Sequence, residues 1–324
     1  MYSYKNSHGT VLSCIEDKDL EKLFPKRPLR MNKGDCGKVL AVCGSYDKKN
    51  LSMCGAAYFA AAAAYRTGAG IVQVYTHAKN YPALATLVPE AVFSLYDTEI
   101  DPESAGHGNS EFSESPDLES LAQIADRADA VVAGCGLGQS DTSLMILRTV
   151  LENINCPLVL DADALNLMAK YPELWDLLGE KEREETIITP HPGEMARLCG
   201  CEVESILSDT VGFASDFASE YGVICVLKDH RTVISDGSAV FVNDSGNPGM
   251  ATAGMGDVLA GILGGLLAQN SASGMLYKTA AGVYLHGAAG DLAAVKKGEY
   301  SLMARDLIDN ISEVIFSLGE EDSE

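Results

Sequence analysis

NPGMATAGMGDVLAGILGGLLAQ, residues 247–269, changes character at its midpoint. Up to Gly256 it is mostly glycine and other small residues, and from Val258 it is an apolar run. Asp257 stands at the junction. Gly254 and Gly256 have no Cβ, so both can take a positive φ and leave backbone N–H groups uncovered. VLAGILGGLLA reads as a buried helix in which Gly261, Gly264 and Gly265 allow close packing. A glycine-rich turn feeding a helix N-terminus makes an anion hole, because unpaired amides and the helix dipole both favour negative charge. Asp257 then falls in the first turn, and two readings stand. The acid complements the dipole, an effect worth up to ~1 kcal/mol. Or it takes a proton from a hydroxyl that a bound phosphate then meets, which explains an acid placed where it would otherwise repel the anion.

Outward from this stretch, strand-like and helix-like runs alternate. GKVLAVCG (37–44), IVQVYT (71–76), DAVVAG (129–134), PLVLDAD (157–163), ETIITP (185–190) and VICVLK (223–228) read as strands, with CGAAYFAAAAAYRTG (54–68) and LESLAQIADRA (118–128) as helices. This predicts an α/β fold with a mostly parallel central sheet and helices on both faces. TVISD and AVFVND, around Asp236-Gly237, predict a hairpin and an antiparallel edge. In such sheets ligands bind beyond the carboxyl ends of the strands. The Gly-, Asp-, His- and Lys-rich segments collect there: GSYDKKNLSMCGA (44–56), GCGLGQSD (134–141), DADALN (161–166), TPHPGE (189–194) and KDHRT (228–232). They predict one large site. The polar segment 97–117 reads as a surface excursion and 318–324 as an acidic tail. With no repeat and no boundary, residues 1–324 read as a single domain.

The net charge of −22 over 324 residues argues against nucleic acid and anionic membranes as partners. Hydrophobic residues make up 47%, enough for a large core. No run reads as a membrane span and the first residues lack a signal pattern, so a cytoplasmic protein is expected. The nine cysteines lack zinc spacing and read as free buried thiols. GxxxxGK[ST] is missing, and GCGLGQ lacks GxGxxG spacing.

KGDCGKVLAVCGS (33–45), MCGAAYFAAAAAYRTGAGIVQV (53–74), GCGLGQS, LDADALN, ITPHPGEMARL (188–198), VLKDHRTVI (226–234), NPGMATAGMGDVLAG (247–261) and HGAAGD (286–291) occur in that order. Together they resemble the ADP- or ATP-dependent NAD(P)H-hydrate dehydratases of the ribokinase-like superfamily, in their stand-alone form. The resemblance implies a three-layer sandwich and a repair reaction. Hydrated NADH or NADPH is phosphorylated on its ring hydroxyl by ADP or ATP, and phosphate then leaves. It implies Asp257 as base and the amides of Ala253, Gly254, Met255 and Gly256 as the anion hole. Ala56, Gly138 and His191 would meet the hydrate. Lys228, Asp229, His230, Arg231 and Thr232, with Gly256, would hold the nucleotide, and Asp161, Asp163 and Asn166 would lie near its phosphates. Mg2+ is implied, with Glu194 helping to place it, and a homo-oligomer, a tetramer.

The residues themselves leave other readings open. His191 follows a proline turn and could be structural, DADALN could cap the helix that follows it, and Lys228 could be a surface charge. His286 reads as buried packing, and His8, His77 and His107 as bystanders. Ala253 replaces a usual glycine, Met255 a threonine, Asp229 the glycine of a Lys-Gly pair and Cys135 a proline. Two rivals follow: a ribokinase-like kinase of a vitamin-type alcohol, and a catalytically silent nucleotide-binding protein.

Overall fold

The computed structural model describes residues 1–5, 11–47, 51–97, 117–179, 183, 185–269 and 273–318. The surface excursion expected within 97–117, the acidic tail, His8 and His107 lie wholly or largely outside them. Among the described residues eleven strands form one sheet: β1 (Tyr2–Lys5), β2 (Val11–Cys14), β3 (Lys38–Val42), β4 (Ile71–His77), β5 (Val92–Tyr96), β6 (Ala130–Ala133), β7 (Leu158–Leu160), β8 (Thr186–Ile188), β9 (Ile224–Leu227), β10 (Val233–Ser235) and β11 (Val240–Val242). Their order is β1-β2-β11-β10-β9-β8-β7-β6-β3-β4-β5. From β9 through β7, β6 and β3 to β5 every pairing is parallel. The β10–β11 hairpin is antiparallel, in register from Val233 opposite Val242 to Ser235 opposite Val240, as its Asp-Gly turn predicts. The sequence reading passed over β1, β2 and β5, which are short and only partly buried and so lack the unbroken apolar signature of the central strands.

Central parallel strands are covered on both faces, so they read as unbroken apolar runs. Side chains alternate across the pleat. Val39, Ala41 and Val132 enter one apolar layer with the helices Cys54–Arg66, Met255–Leu267, Met275–Lys297 and Ala304–Ser317. Leu40, Val42 and Val131 enter the other, with Leu118–Asp126, Asp141–Asn153, Asp163–Lys170 and Thr210–Tyr221. This is the expected three-layer α/β architecture.

The helix Met255–Leu267 lies between sheet and helix layer, and its glycines make that possible. A Cβ on Gly261 would stand 2.2 Å from the Ala60 carbonyl oxygen, and one on Gly264 2.4 Å from a Val132 methyl. Each such glycine costs about 1 kcal/mol in helix propensity, and close packing offsets it. The alanines of Cys54–Arg66 supply the matching flat face. The thiols are all free, but only part of the expectation of burial holds: Cys199 is exposed, and Cys54 and Cys201 are half-buried. Among the described residues no helix is long and apolar enough to cross a membrane.

Candidate active site

β3 lies between β4 and β6, so the chain leaves this point of the sheet in opposite directions. Such a switch point parts the loops and opens a crevice. The loops after β3 and β6 are fastened together, with the Gly44 N–H donating to the Cys135 carbonyl at 2.9 Å and the Ser45 N–H to that of Gly136 at 2.7 Å. Gly134, at φ +117, lies so close to the end of β7 that a Cβ would stand 1.9 Å from the Asp161 carbonyl oxygen.

Beyond the ends of β7, β8, β9 and β11 is a cavity of about 890 Å3. Ala253, Gly254, Met255, Gly256 and Asp257 form part of its wall. Gly254 has φ +95, and a Cβ there would also strike the Phe59 ring at 2.5 Å. Gly256 does not use the positive φ open to a glycine. The helix already begins at Met255, so Gly256 has helical backbone. Its lack of a side chain gives room instead: a Cβ would stand 3.3 Å from the Lys228 ammonium. The first N–H groups of any helix have no intrahelical partner, and here they lie on the cavity wall. The Met255 side chain is buried in the apolar layer.

Asp257 is in the first turn, as expected. Behind it Asp161, 2% exposed, is held by three neighbours. The Lys228 ammonium donates to Oδ1 at 2.7 Å, the Thr189 hydroxyl to the same oxygen at 2.6 Å, and the Cys135 thiol to Oδ2 at 3.8 Å. Burial pushes the Lys228 pKa down, but Asp161 and Glu194 outweigh it and the ammonium stays charged. Asp257 has the opposite fate. Burial first, and then the negative charge of Asp161, push its pKa up to about 7, against the opposing pull of the Cys135 thiol and Lys228. Two aspartates on one wall are thus set apart, one paired with the Lys228 ammonium and one poised to exchange a proton near neutrality.

Cys135, Asp161 and Asp257 each bring a ligand atom within 4.8 Å of the others. Magnesium does not fit there, since it prefers oxygen ligands to a thiol and the Lys228 ammonium already pairs with Asp161. Glu194 offers a hard carboxylate on the cavity wall. Its Oε2 accepts from the His191 N–H at 2.9 Å, and each carboxylate oxygen can accept more than once.

His191 both caps and lines. Its Nδ1 accepts from the Gly193 N–H at 3.0 Å in a reciprocal cap with Glu194, while its half-exposed ring faces the cavity. Burial, ahead of the opposing pull of Glu194, lowers its pKa. Asp229, His230 and Thr232 also line the cavity. Ala56, Gly138, Asn166 and Arg231 do not. Ala56 packs beneath Gly136, and the Gly138 N–H donates to Asp163 Oδ2 at 2.8 Å. Asn166 accepts from the Arg197 guanidinium at 2.8 Å, and Arg231 pairs with Asp244 at 2.7 Å. Neither acid of DADALN caps the helix after it: Ala162 holds that position, at φ +51.

The sequence reading missed Asn243, Ser245, Asn247 and Thr252, all on the cavity wall. They follow β11, which returns to the same rim as β9 after the predicted hairpin, and that return was the available signal. His286, expected as packing, also lines the cavity, and its Nε2–H donates to the Met255 carbonyl at 2.9 Å. Burial lowers its pKa to about 4, so the ring is neutral at pH 7.

Over residues 39–313 the chain matches the family described as NAD(P)H-hydrate dehydratase. A bifunctional NAD(P)H-hydrate repair enzyme of Coxiella burnetii is 38% identical over 303 residues, covering 93% of this chain and 55% of that protein. The chain spans about half the length of such bifunctional relatives. An ADP-dependent (S)-NAD(P)H-hydrate dehydratase of Neisseria meningitidis is 35% identical over 279 residues, 85% of this chain and 83% of that one. The crystal structure of an ADP/ATP-dependent NAD(P)H-hydrate dehydratase from Bacillus subtilis, grown with ATP and Mg2+, superposes with a TM-score of 0.75 at 26% identity, covering 95% of this chain and 99% of that one. By sequence and by fold, this chain belongs to the NAD(P)H-hydrate dehydratase family.

Proposed function

We propose that this chain is an ADP-dependent (S)-NAD(P)H-hydrate dehydratase in which Asp257 is the catalytic base. One observation carries the assignment of the base. Asp257 stands at the anion-hole turn, on the cavity wall, with its pKa raised to about 7. A general base works best when its pKa lies near the working pH. Asp257 accepts the proton of the ring hydroxyl, and the freed oxygen attacks the terminal phosphoryl of the nucleotide. With ADP, AMP departs with the electron pair of the broken P–O bond. The C–O bond of the new phosphate ester then breaks, phosphate leaves, and a proton is lost from the adjacent ring carbon. The ring double bond returns.

Positioning and charge stabilisation dominate phosphoryl transfer. The amides of Ala253, Gly254, Met255 and Gly256 supply the second, and the Lys228 ammonium adds a fixed charge. Asp229, His230 and Thr232 hold the nucleotide where β9 ends, and Asp161 acts through Lys228. The hydrate lies toward His191 and the switch point, on the side where Ala56 and Gly138 support the loops after β3 and β6 from outside the cavity. Glu194 would help to hold magnesium beside the nucleotide, where the ion would neutralise phosphate charge. Tyr300 and Phe316 stand exposed at the last helices, which supports self-association; the family resemblance points to a tetramer, and light scattering tests that part.

The test is recovery of reduced-nicotinamide absorbance from purified NADH hydrate, with magnesium and either ADP or ATP. Recovery with ADP and none without nucleotide is expected. Recovery with ATP alone would overturn the choice of donor, and no recovery with either, from folded protein, would overturn the activity.

A further inference from the structure

HGAAGD, residues 286–291, lies on the helix Met275–Lys297, and the mechanism above gives it no task. Its face, spaced at three and four residues, grips the loop that follows β11. The Tyr284 carbonyl accepts from the Ser245 hydroxyl at 3.0 Å. A Cβ on Gly287 would stand 2.1 Å from that hydroxyl, and one on Gly290 2.4 Å from the Met250 sulfur. Asp291 ends the row. Its Oδ2 accepts the Gly246 N–H at 2.8 Å, and its Oδ1 accepts the Asn247 side-chain amide at 2.9 Å. Asn247 Oδ1 in turn accepts the Gly249 N–H at 3.1 Å, capping the short turn Pro248–Met250. His286 fastens the far end of the same segment through the Met255 carbonyl.

Ser245, Gly246, Asn247 and Met250 line the cavity, whereas Asp291 does not. The carboxylate lies off the cavity wall and orients two donors of the chain that forms it. β11 and β9 end on the same rim, so this wall faces the Lys228–Thr232 segment and not the switch point.

We propose that Asp291 is a positioning residue for nucleotide binding, setting the Gly246–Met250 wall against the Lys228–Thr232 segment. The proposal rests on the reading that this part of the cavity takes ADP. A carboxylate can serve both donors at once, and an alanine serves neither. The two unmet donors then let the wall move. The hydrate side is built on the loops after β3 and β6, whose described residues share no hydrogen bond with Asp291, and it stays in place.

The experiment measures ADP affinity by calorimetry with magnesium, and the KM for NADH hydrate at saturating ADP, in the full chain. Asp291→Ala is expected to weaken ADP binding by about 10-fold or more, the effect of losing one to two charge-assisted hydrogen bonds, with the hydrate KM changed less than about 2-fold. The exchange of Asp291→Asn with Asn247→Asp keeps an acceptor for the Gly246 N–H and an amide–carboxylate contact, and it is expected to bind ADP more tightly than Asp291→Ala. This exchanged variant also keeps the test usable if the alanine variant folds poorly. Wild-type protein that binds neither ADP nor ATP would overturn the reading of the cavity and this inference with it. Wild-type ADP binding with unchanged affinity in Asp291→Ala, or an equal loss on the hydrate and nucleotide sides, would overturn this inference alone.

Discussion

Around Asp257 the cavity wall is dry and crowded: Asp161, Thr189, Lys228 and Cys135 share a few ångströms beneath glycine-locked loops, and Asp161 and Thr189 are fully or almost fully buried. Along His230 and Ser245–Asn247 the wall is polar and open, with the His230 side chain 81% exposed, and just off the wall the Arg231–Asp244 pair is about half exposed on both sides. Charges at the first region are desolvated, so each changes the others' protonation. Charges at the second are screened by water, and contribute mainly by shape and hydrogen bonding. Chemistry falls to the dry end and recognition to the wet one.

Substitutions at the dry end are therefore expected to have the largest effects. Asp257→Asn should lower turnover by at least ~10²-fold while ADP affinity, measured by calorimetry, changes little, as for loss of a group used in the transition state. Its stability should move the other way. The folded carboxyl binds its proton up to about pH 7, whereas an unfolded one releases it near ~4. In that window the native state holds more protons, so wild-type stability falls as pH rises. Asp257→Asn should therefore melt at a higher temperature than wild type at pH 8, with the gap closing toward pH 4.

Next comes Lys228→Met, which leaves Asp161 buried without its cation. Removing one partner of a buried pair costs about 3–5 kcal/mol, measurable by denaturant unfolding at pH 7. Asp161→Asn in the same chain should return part of that loss. If Lys228→Met costs no more than a surface substitution, the contrast between the two regions fails.

The smallest effect is expected at the wet end. Arg231→Ala removes an exposed pair worth about 0–1 kcal/mol, so unfolding midpoint and turnover should barely change. A large loss there would show that Arg231 reaches the nucleotide directly, and would move the boundary between the two regions.

What could be read from the sequence divides along a similar line. The turn Gly254–Asp257 was legible because all of its parts are contiguous, and the alternating runs gave the parallel sheet and the Asp-Gly hairpin. Composition left Gly256 free to take a positive φ, but the helix starts one residue earlier than that conformation needs. The Asp161–Lys228 pair joins residues 67 positions apart. Only the adjacency of β7, β8 and β9 brings them together, and no local pattern encodes it. Asn166 looked like a phosphate contact within DADALN, yet it bonds Arg197 of the neighbouring helix Pro192–Cys199. HGAAGD was visible as a motif, but its use depends on which loop packs against it.

The central claim is that Asp257 works as a base because its surroundings raise its pKa. The most direct measurement is kcat/KM for NADH hydrate from pH 5.5 to 8.5 with saturating ADP and magnesium, in wild type and in Asp161→Asn. The account predicts an acidic limb near pH 7 in wild type, shifted to lower pH when the charge of Asp161 is removed. A profile flat from pH 5.5 to 8, or a limb unmoved in Asp161→Asn, would contradict it.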